Sequence, residues 1–220
     1  MKNFLSTTLL TTIMATGLPA VASTIPFTFS TPAGTLGVSQ SYTSGGITIT
    51  ARGYSGLNAP GSVGTPVALY GKTGGGDENG LGIADGADRE IIGNYFIQLD
   101  FRDVKTKLIN PTAQMEIGSV QSGESYSIYG SNSVGMPGTV LISNGTLDDQ
   151  FFPVPNLNQY SFYSIGAPSH NVLLDAVSVT GPAAVPEPGT FVLFAGVGLI
   201  SVAFSRRLRK ALCGAAGQGS

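Results

Sequence analysis

Apolar and polar positions alternate along much of the chain. Ile25-Pro-Phe27-Thr-Phe29 and Ile47-Thr-Ile49-Thr-Ala51 put an apolar side chain at every second position, the period of a strand half buried against a core. Further strand candidates fall at 67–70, 95–101, 114–120, 125–129, 139–143, 160–165 and 172–180. Clusters of Gly, Asn, Ser and Pro separate them, among them Asn58-Ala-Pro-Gly61 and Asn144-Gly145-Thr146, which are turn signals. The stretch 103–110 fits a short helix or a strand-joining loop equally well. Many short strands at regular spacing, without an internal repeat or a long helical pattern, predict an all-β fold, a single β-sandwich of jelly-roll-like type.

The two ends read differently. Met1-Lys2-Asn3 leads into an apolar, Thr-rich stretch over 4–17, and Ala20-Val21-Ala22 supplies the small-x-small pattern of a signal peptidase site. The pattern predicts a secretory signal peptide over 1–22, cleaved after Ala22. At the other end, residues 190–205 carry no charged side chain. That run is shorter than the ~20 residues of a usual spanning helix, but it lacks the polar face of a helix in a soluble domain. It predicts one C-terminal transmembrane helix, in which Gly196 and Gly198 are tolerated. Arg206, Arg207, Arg209 and Lys210 follow at once and form a membrane stop held in the cytoplasm by the positive-inside rule. Residues 211–220 then form a cytoplasmic tail, and the domain before the helix lies beyond the inner membrane.

Just ahead of that helix stands Pro186-Glu187-Pro188. Each proline fixes its own φ and disfavours the α region for its predecessor, so the segment is extended, as a processing enzyme requires. Val185, Pro186, Glu187 and Pro188 with the following Gly-Thr, the apolar run and the basic cluster together resemble the PEP-CTERM sorting signal of Gram-negative bacteria. The resemblance implies handling by an exosortase as the protein passes from a transient stay in the inner membrane to the cell surface or exopolysaccharide matrix. The expected layout is a signal peptide over 1–22, an exported sandwich over 23–182, a sorting signal over 183–210 and a tail over 211–220.

Charge sharpens this picture. Between the two signals stand six basic and twelve acidic side chains, a formal −6 against −2 for the whole chain. Such a domain offers no basic surface to nucleic acid. The single cysteine, Cys213, lies after the basic cluster, so the exported part has no disulfide framework.

The densest polar stretch runs from Gly74 through Asp77, Glu78 and Asn79 to Ile83, followed by Asp85, Asp88, Arg89 and Glu90. Oxygen ligands on a Gly-rich loop suit Ca²⁺, which makes Asp77, Glu78, Asp88 and Glu90 candidate ligands, although the spacing is not that of an EF-hand. An ordinary solvated acidic loop is the plainer reading. On the last predicted strand, Leu174-Asp175-Ala176-Val177 resembles the stretch that sets a carboxylate near a structural calcium in jelly-roll binding modules, which adds Asp175. Gly71-Lys72-Thr73 is not a phosphate loop, because Pro66 stands where that motif needs glycine. His170, the only histidine, reads as a turn residue without a Gly-x-Ser-x-Gly elbow to serve. Asp100, Glu116 and Glu124 fall on or near strands and could form a hydrolytic pair only if two of them faced one cleft. No tryptophan is present to stack on sugars, and most tyrosines fit cross-strand packing.

The expected function is therefore that of an exported, exosortase-processed surface or extracellular-matrix protein with a non-catalytic β-sandwich. A carbohydrate-binding module for exopolysaccharide, steadied by calcium, is the second reading, and a glycan hydrolase the third.

Overall fold

The computed structural model describes residues 21–58, 61–74, 78–169 and 171–184. Strands β1 (Ala22–Thr28), β2 (Gly34–Thr35), β3 (Ser39–Ser44) and β4 (Ile47–Ser55) open the chain. Then come β5 (Thr65–Val67), β6 (Leu69–Thr73), β7 (Asn79–Ile83), β8 (Ile91–Ile92), β9 (Tyr95–Asp100) and helix α1 (Arg102–Lys107). Strands β10 (Thr112–Gly118), β11 (Tyr126–Ser131), β12 (Thr139–Gly145), β13 (Phe152–Pro153), β14 (Phe162–Gly166) and β15 (Asn171–Pro182) complete the order.

The strands form two antiparallel sheets. One runs β13-β10-β15-β7-β6-β2, with β1 and β8 also pairing β15; the other runs β12-β11-β14-β9-β4-β3, with β5 on β4. The alternation read from the sequence sets the inner faces: Ile25 and Phe27 of β1 and Ile47, Ile49 and Ala51 of β4 are buried while their neighbours are not. Met115 and Val177 of the first sheet and Leu99 and Ile165 of the second join a single apolar cluster between the sheets. Each such side chain contributes about 1.5–3 kcal/mol through burial. The all-β sandwich expectation holds, and 103–110 resolves in favour of helix over its first half. Asp103 fixes that helix on β4, accepting from the Thr48 N–H at 2.7 Å and from Lys107 Nζ at 2.8 Å.

Two strands depart from the sequence pattern. Strand β3, Ser-Gln-Ser-Tyr-Thr-Ser, has one apolar residue, Tyr42, whose ring meets Phe29 edge-on at 4.7 Å. It joins β4 through the Gly45-Gly46 turn, and hydroxyl pairs Thr43–Thr48 and Ser41–Thr50, both at 2.9 Å, line its outer face. An edge strand needs only one buried face, so its polar character is no obstacle. Strand β7 lies inside the stretch read as a flexible acidic loop, yet Gly80 to Ile83 are buried.

Strand β15 is the hub, pairing with β1, β10, β7 and β8. A bulge interrupts its ladder with β10 between Glu116 and Ile117, which leaves Asp175 without an opposite residue. Among the described residues no helix is long and apolar enough to cross a membrane; the expected signal peptide through Ala20 and the span at 190–205 lie outside the described residues.

Candidate functional site

A concentrated set of charged groups is built on the outer face of the β6–β7 hairpin. Register pairs Lys72 with Gly80 and Tyr70 with Gly82, so these four positions share one face. Two of them lack side chains, and the 86–90 segment lies over the space. A Cβ on Gly82 would run into the Arg89 carbonyl oxygen, and one on Gly86 into that of Glu90. Asp88 and Arg89 bend the segment with φ of 54° and 63°, and the Arg89 guanidinium sits 4.4 Å from the Tyr70 ring centroid. This delivers Glu90 under the loop, where it is 1% exposed.

Lys72 closes the arrangement. Its Nζ donates to Glu90 Oε1 at 2.5 Å and also bridges to Glu78. Asn171 Nδ2 donates to the other Glu90 oxygen, Oε2, at 2.8 Å. Ser119 Oγ donates to Glu90 Oε1 at 3.4 Å and reaches Glu78 Oε1 at 3.5 Å. A cleft of about 480 Å³, bordered also by Asp88, Arg89 and Gln121, opens onto this network.

The electrostatics follow from depth. Burial pushes the Glu90 carboxyl above its usual range despite Lys72, with nearby Glu78 adding to the rise. Glu78, nearer solvent, is held low by its hydrogen bond from Lys72. For Lys72 burial pulls downward, but the two carboxylates outweigh it and hold the ammonium above its ordinary value.

Of the five carboxylates expected to bind calcium, Glu78, Asp88 and Glu90 gather around this cleft. Asp77 lies outside the described residues. Asp175 does not join them: it stands on β15 four residues beyond Asn171, about 13 Å at the strand rise, and its neighbour is Glu116. Burial raises both Asp175 and Glu116. Among the described residues no three His, Cys, Asp or Glu side chains group as a metal would need. Where a cation would sit between Glu78 and Glu90, Lys72 supplies one.

The strand carboxylates considered for hydrolysis do not meet either. Asp100, on β9, accepts from Arg102 Nε at 2.9 Å and Nη2 at 2.7 Å, and from Arg52 Nη1 at 3.3 Å. Burial pushes Asp100 up, but Arg102 and Arg52 together hold it below the usual carboxylate range. Glu116 belongs to the other sheet, and Glu124 Oε2 accepts the Gln121 N–H at 2.8 Å within a turn. The tyrosines pack as expected: Tyr126 stacks on Phe152 at 5.5 Å, and Tyr163 meets Phe101 edge-on at 5.3 Å.

Ala22, the small residue expected at the signal peptidase site, is the first residue of β1, opposite Pro182. Ala20, the motif Val185–Pro188 and the basic residues Arg206, Arg207, Arg209 and Lys210 lie outside the described residues, as does His170. Sequence reasoning passed over Lys72, Ser119 and Asn171. Lys72 alone entered that reading, and only within the rejected Gly71-Lys72-Thr73 phosphate-loop pattern, because the strand candidate at 67–70 ends before it.

Comparison with curated proteins gives no match, and comparison with solved structures gives none either. The family model of the PEP-CTERM protein-sorting motif matches residues 184–210. The chain therefore carries a PEP-CTERM protein-sorting motif at 184–210, which marks an exported, exosortase-targeted protein anchored by its C-terminal signal before processing.

Proposed function

We propose that the mature protein is a non-catalytic component of the cell surface or extracellular matrix, released there after a transient stay in the inner membrane. One observation carries the non-catalytic reading: the cleft carboxylates Glu78 and Glu90 share an internal cation, Lys72. A hydrolase needs one carboxyl free to meet the leaving group and another free to meet the sugar or water. Here both are engaged within the protein. The test is to incubate the purified exported protein with exopolysaccharide from the producing cells. Unchanged polymer length supports the reading, and progressive shortening removes it.

A second reading, an exopolysaccharide-binding module, rests on a different place. Half-buried Tyr129 borders a cleft of about 370 Å³ with Leu57, Asn58, Met136 and Val140, and a flat ring beside an amide is a combination that sugars use. Co-sedimentation with the polymer, lost in Tyr129→Ala, would favour it; no co-sedimentation by the wild type would remove it.

A further inference from the structure

The chain enters and leaves the sandwich at one end. Strands β1 and β15 are antiparallel with Ala22 opposite Pro182, so the segments before β1 and after β15 both emerge there. The stretch that follows α1 grips the exit. The Ile109 N–H donates to the Pro182 carbonyl at 2.9 Å, and the Ala184 N–H donates to the Lys107 carbonyl at 2.7 Å. Between these bonds Leu108 pairs with Ala183 and is buried beside Gly181. Helix α1 is thereby fixed at the end from which the sorting motif, starting at residue 184, continues.

Charge divides along the same axis. Around α1 stand Arg52, Arg102, Lys105 and Lys107 against Asp100 and Asp103, four cations and two carboxylates, a formal +2. The rest of the exported domain holds two cations against ten carboxylates, a formal −8. Glu90 lies at the other end of β15, bonded to Asn171, and Asp148 accepts the Val120 N–H at 2.9 Å just past the end of β10. From Asn171 to Pro182 the strand runs about 35 Å, several Debye lengths of ~8–10 Å. A surface touching α1 therefore meets the cations and is screened from the distant acids.

We infer that the α1 end is a docking surface for the anionic phospholipid headgroups of the membrane that holds the unprocessed chain. The inference rests on anchoring by the C-terminal signal before processing. Arg102 and Lys107 are exposed while each pairs with one carboxylate. Lys105 Nζ is met by the carbonyls of Asn158 and Tyr160, both at 3.2 Å. Ile109 and Val21, both exposed at this end, offer apolar side chains to the layer below the headgroups.

The attraction is suited to a temporary stay. A formal +2 favours an anionic surface by roughly tenfold, which is weak for a free protein. An anchored chain makes the contact intramolecular, at an effective concentration on the order of millimolar. The domain then stands with its acidic end away from the bilayer. Removal of the anchor ends that advantage, and the same weak contact lets the domain leave.

The full-length chain carrying Cys213→Ser, reconstituted into vesicles, tests this. The vesicles are phosphatidylcholine with or without about 30% phosphatidylglycerol, with a quencher on the headgroups. A fluorophore is attached through Asn110→Cys at the α1 end or Gln121→Cys at the acidic end. The Asn110→Cys dye should be quenched at least ~threefold more with phosphatidylglycerol present, and about 0.5 M salt should erase the difference. Lys105→Glu should erase it too, whereas the matched reversal Arg89→Glu should not. The Gln121→Cys dye should stay unquenched in both vesicles. Equal Asn110→Cys quenching in the two vesicles would overturn the inference whatever the charge variants do, as would equally strong quenching at Gln121→Cys. A chain that floats with neither vesicle would refute the anchor itself, and the docking with it.

Discussion

Lys72 Nζ stands 2.5 Å from Glu90 Oε1 while also bridging to Glu78, so two carboxylates, one of them wholly buried, share one lysine as their counter-charge. The pair joins β6 to the segment that enters β8, and it explains why an acidic run of this sequence folds inward.

Removing that lysine should therefore cost more than an ordinary surface charge. Lys72→Met leaves Glu90 buried without a counter-charge, a loss of about 3 kcal/mol. Adding Glu90→Gln to it should recover part of the loss, because a neutral amide needs no cation. Urea denaturation of the two variants checks this; equal stability of single and double variants would speak against the arrangement.

Gly82→Ala tests how Glu90 is delivered. The new methyl group would meet the Arg89 carbonyl oxygen and the Glu90 Cα, an overpacking of about 2 kcal/mol. Thermal unfolding should show a clear fall, whereas the unencumbered Gly46→Ser should differ only through its left-handed backbone, φ 76°. A Gly82→Ala variant as stable as wild type would mean the 86–90 segment does not lie on β7.

The acid limb of stability should depend on Asp100. Its folded carboxyl is held low, so protons bind the unfolded chain more tightly. The Asp100 contribution is then fully present above the ordinary carboxylate range and is lost as pH falls through the depressed folded value. Asp100→Asn should be less stable than wild type at neutral pH by about 2 kcal/mol. The gap should narrow as the solution is acidified. A gap that stays constant down to the acid transition would contradict the pairing with Arg52 and Arg102.

Chelation should leave the melting temperature unchanged, since Lys72 occupies the place between Glu78 and Glu90 and Asp175 lies apart. A fall with EDTA that Ca²⁺ reverses would bring the 74–90 carboxylates back as ligands.

The fold was legible where one face of a strand is buried, as in Ile47-Thr-Ile49-Thr-Ala51, because the strand period and the burial period coincide there. Strand β3 escaped notice because hydroxyl pairs and a single tyrosine hold it, leaving no alternation to see. Strand β7 was hidden by glycines whose missing side chains make room for the backbone of 86–90. Glycine richness suggested a flexible loop where the physical reason is close approach. The candidate site was half legible. Glu78, Asp88 and Glu90 were picked out as a cluster, but Lys72 and Asn171 come from distant strands, and only pairing through β7 and β8 brings them to the same carboxylate. The sorting signal was plain because its information is linear, held in the order of proline motif, apolar run and basic stop.

The most direct test is the intact mass of the protein recovered from the cell surface or medium, compared between wild type and Glu187→Ala. The predicted result is a wild-type chain ending near Pro186–Pro188, without the apolar run and basic cluster, and a Glu187→Ala chain that keeps them and stays with the membrane. A surface-recovered wild-type chain still carrying residues 191–210, or unaltered maturation of Glu187→Ala, would contradict exosortase processing.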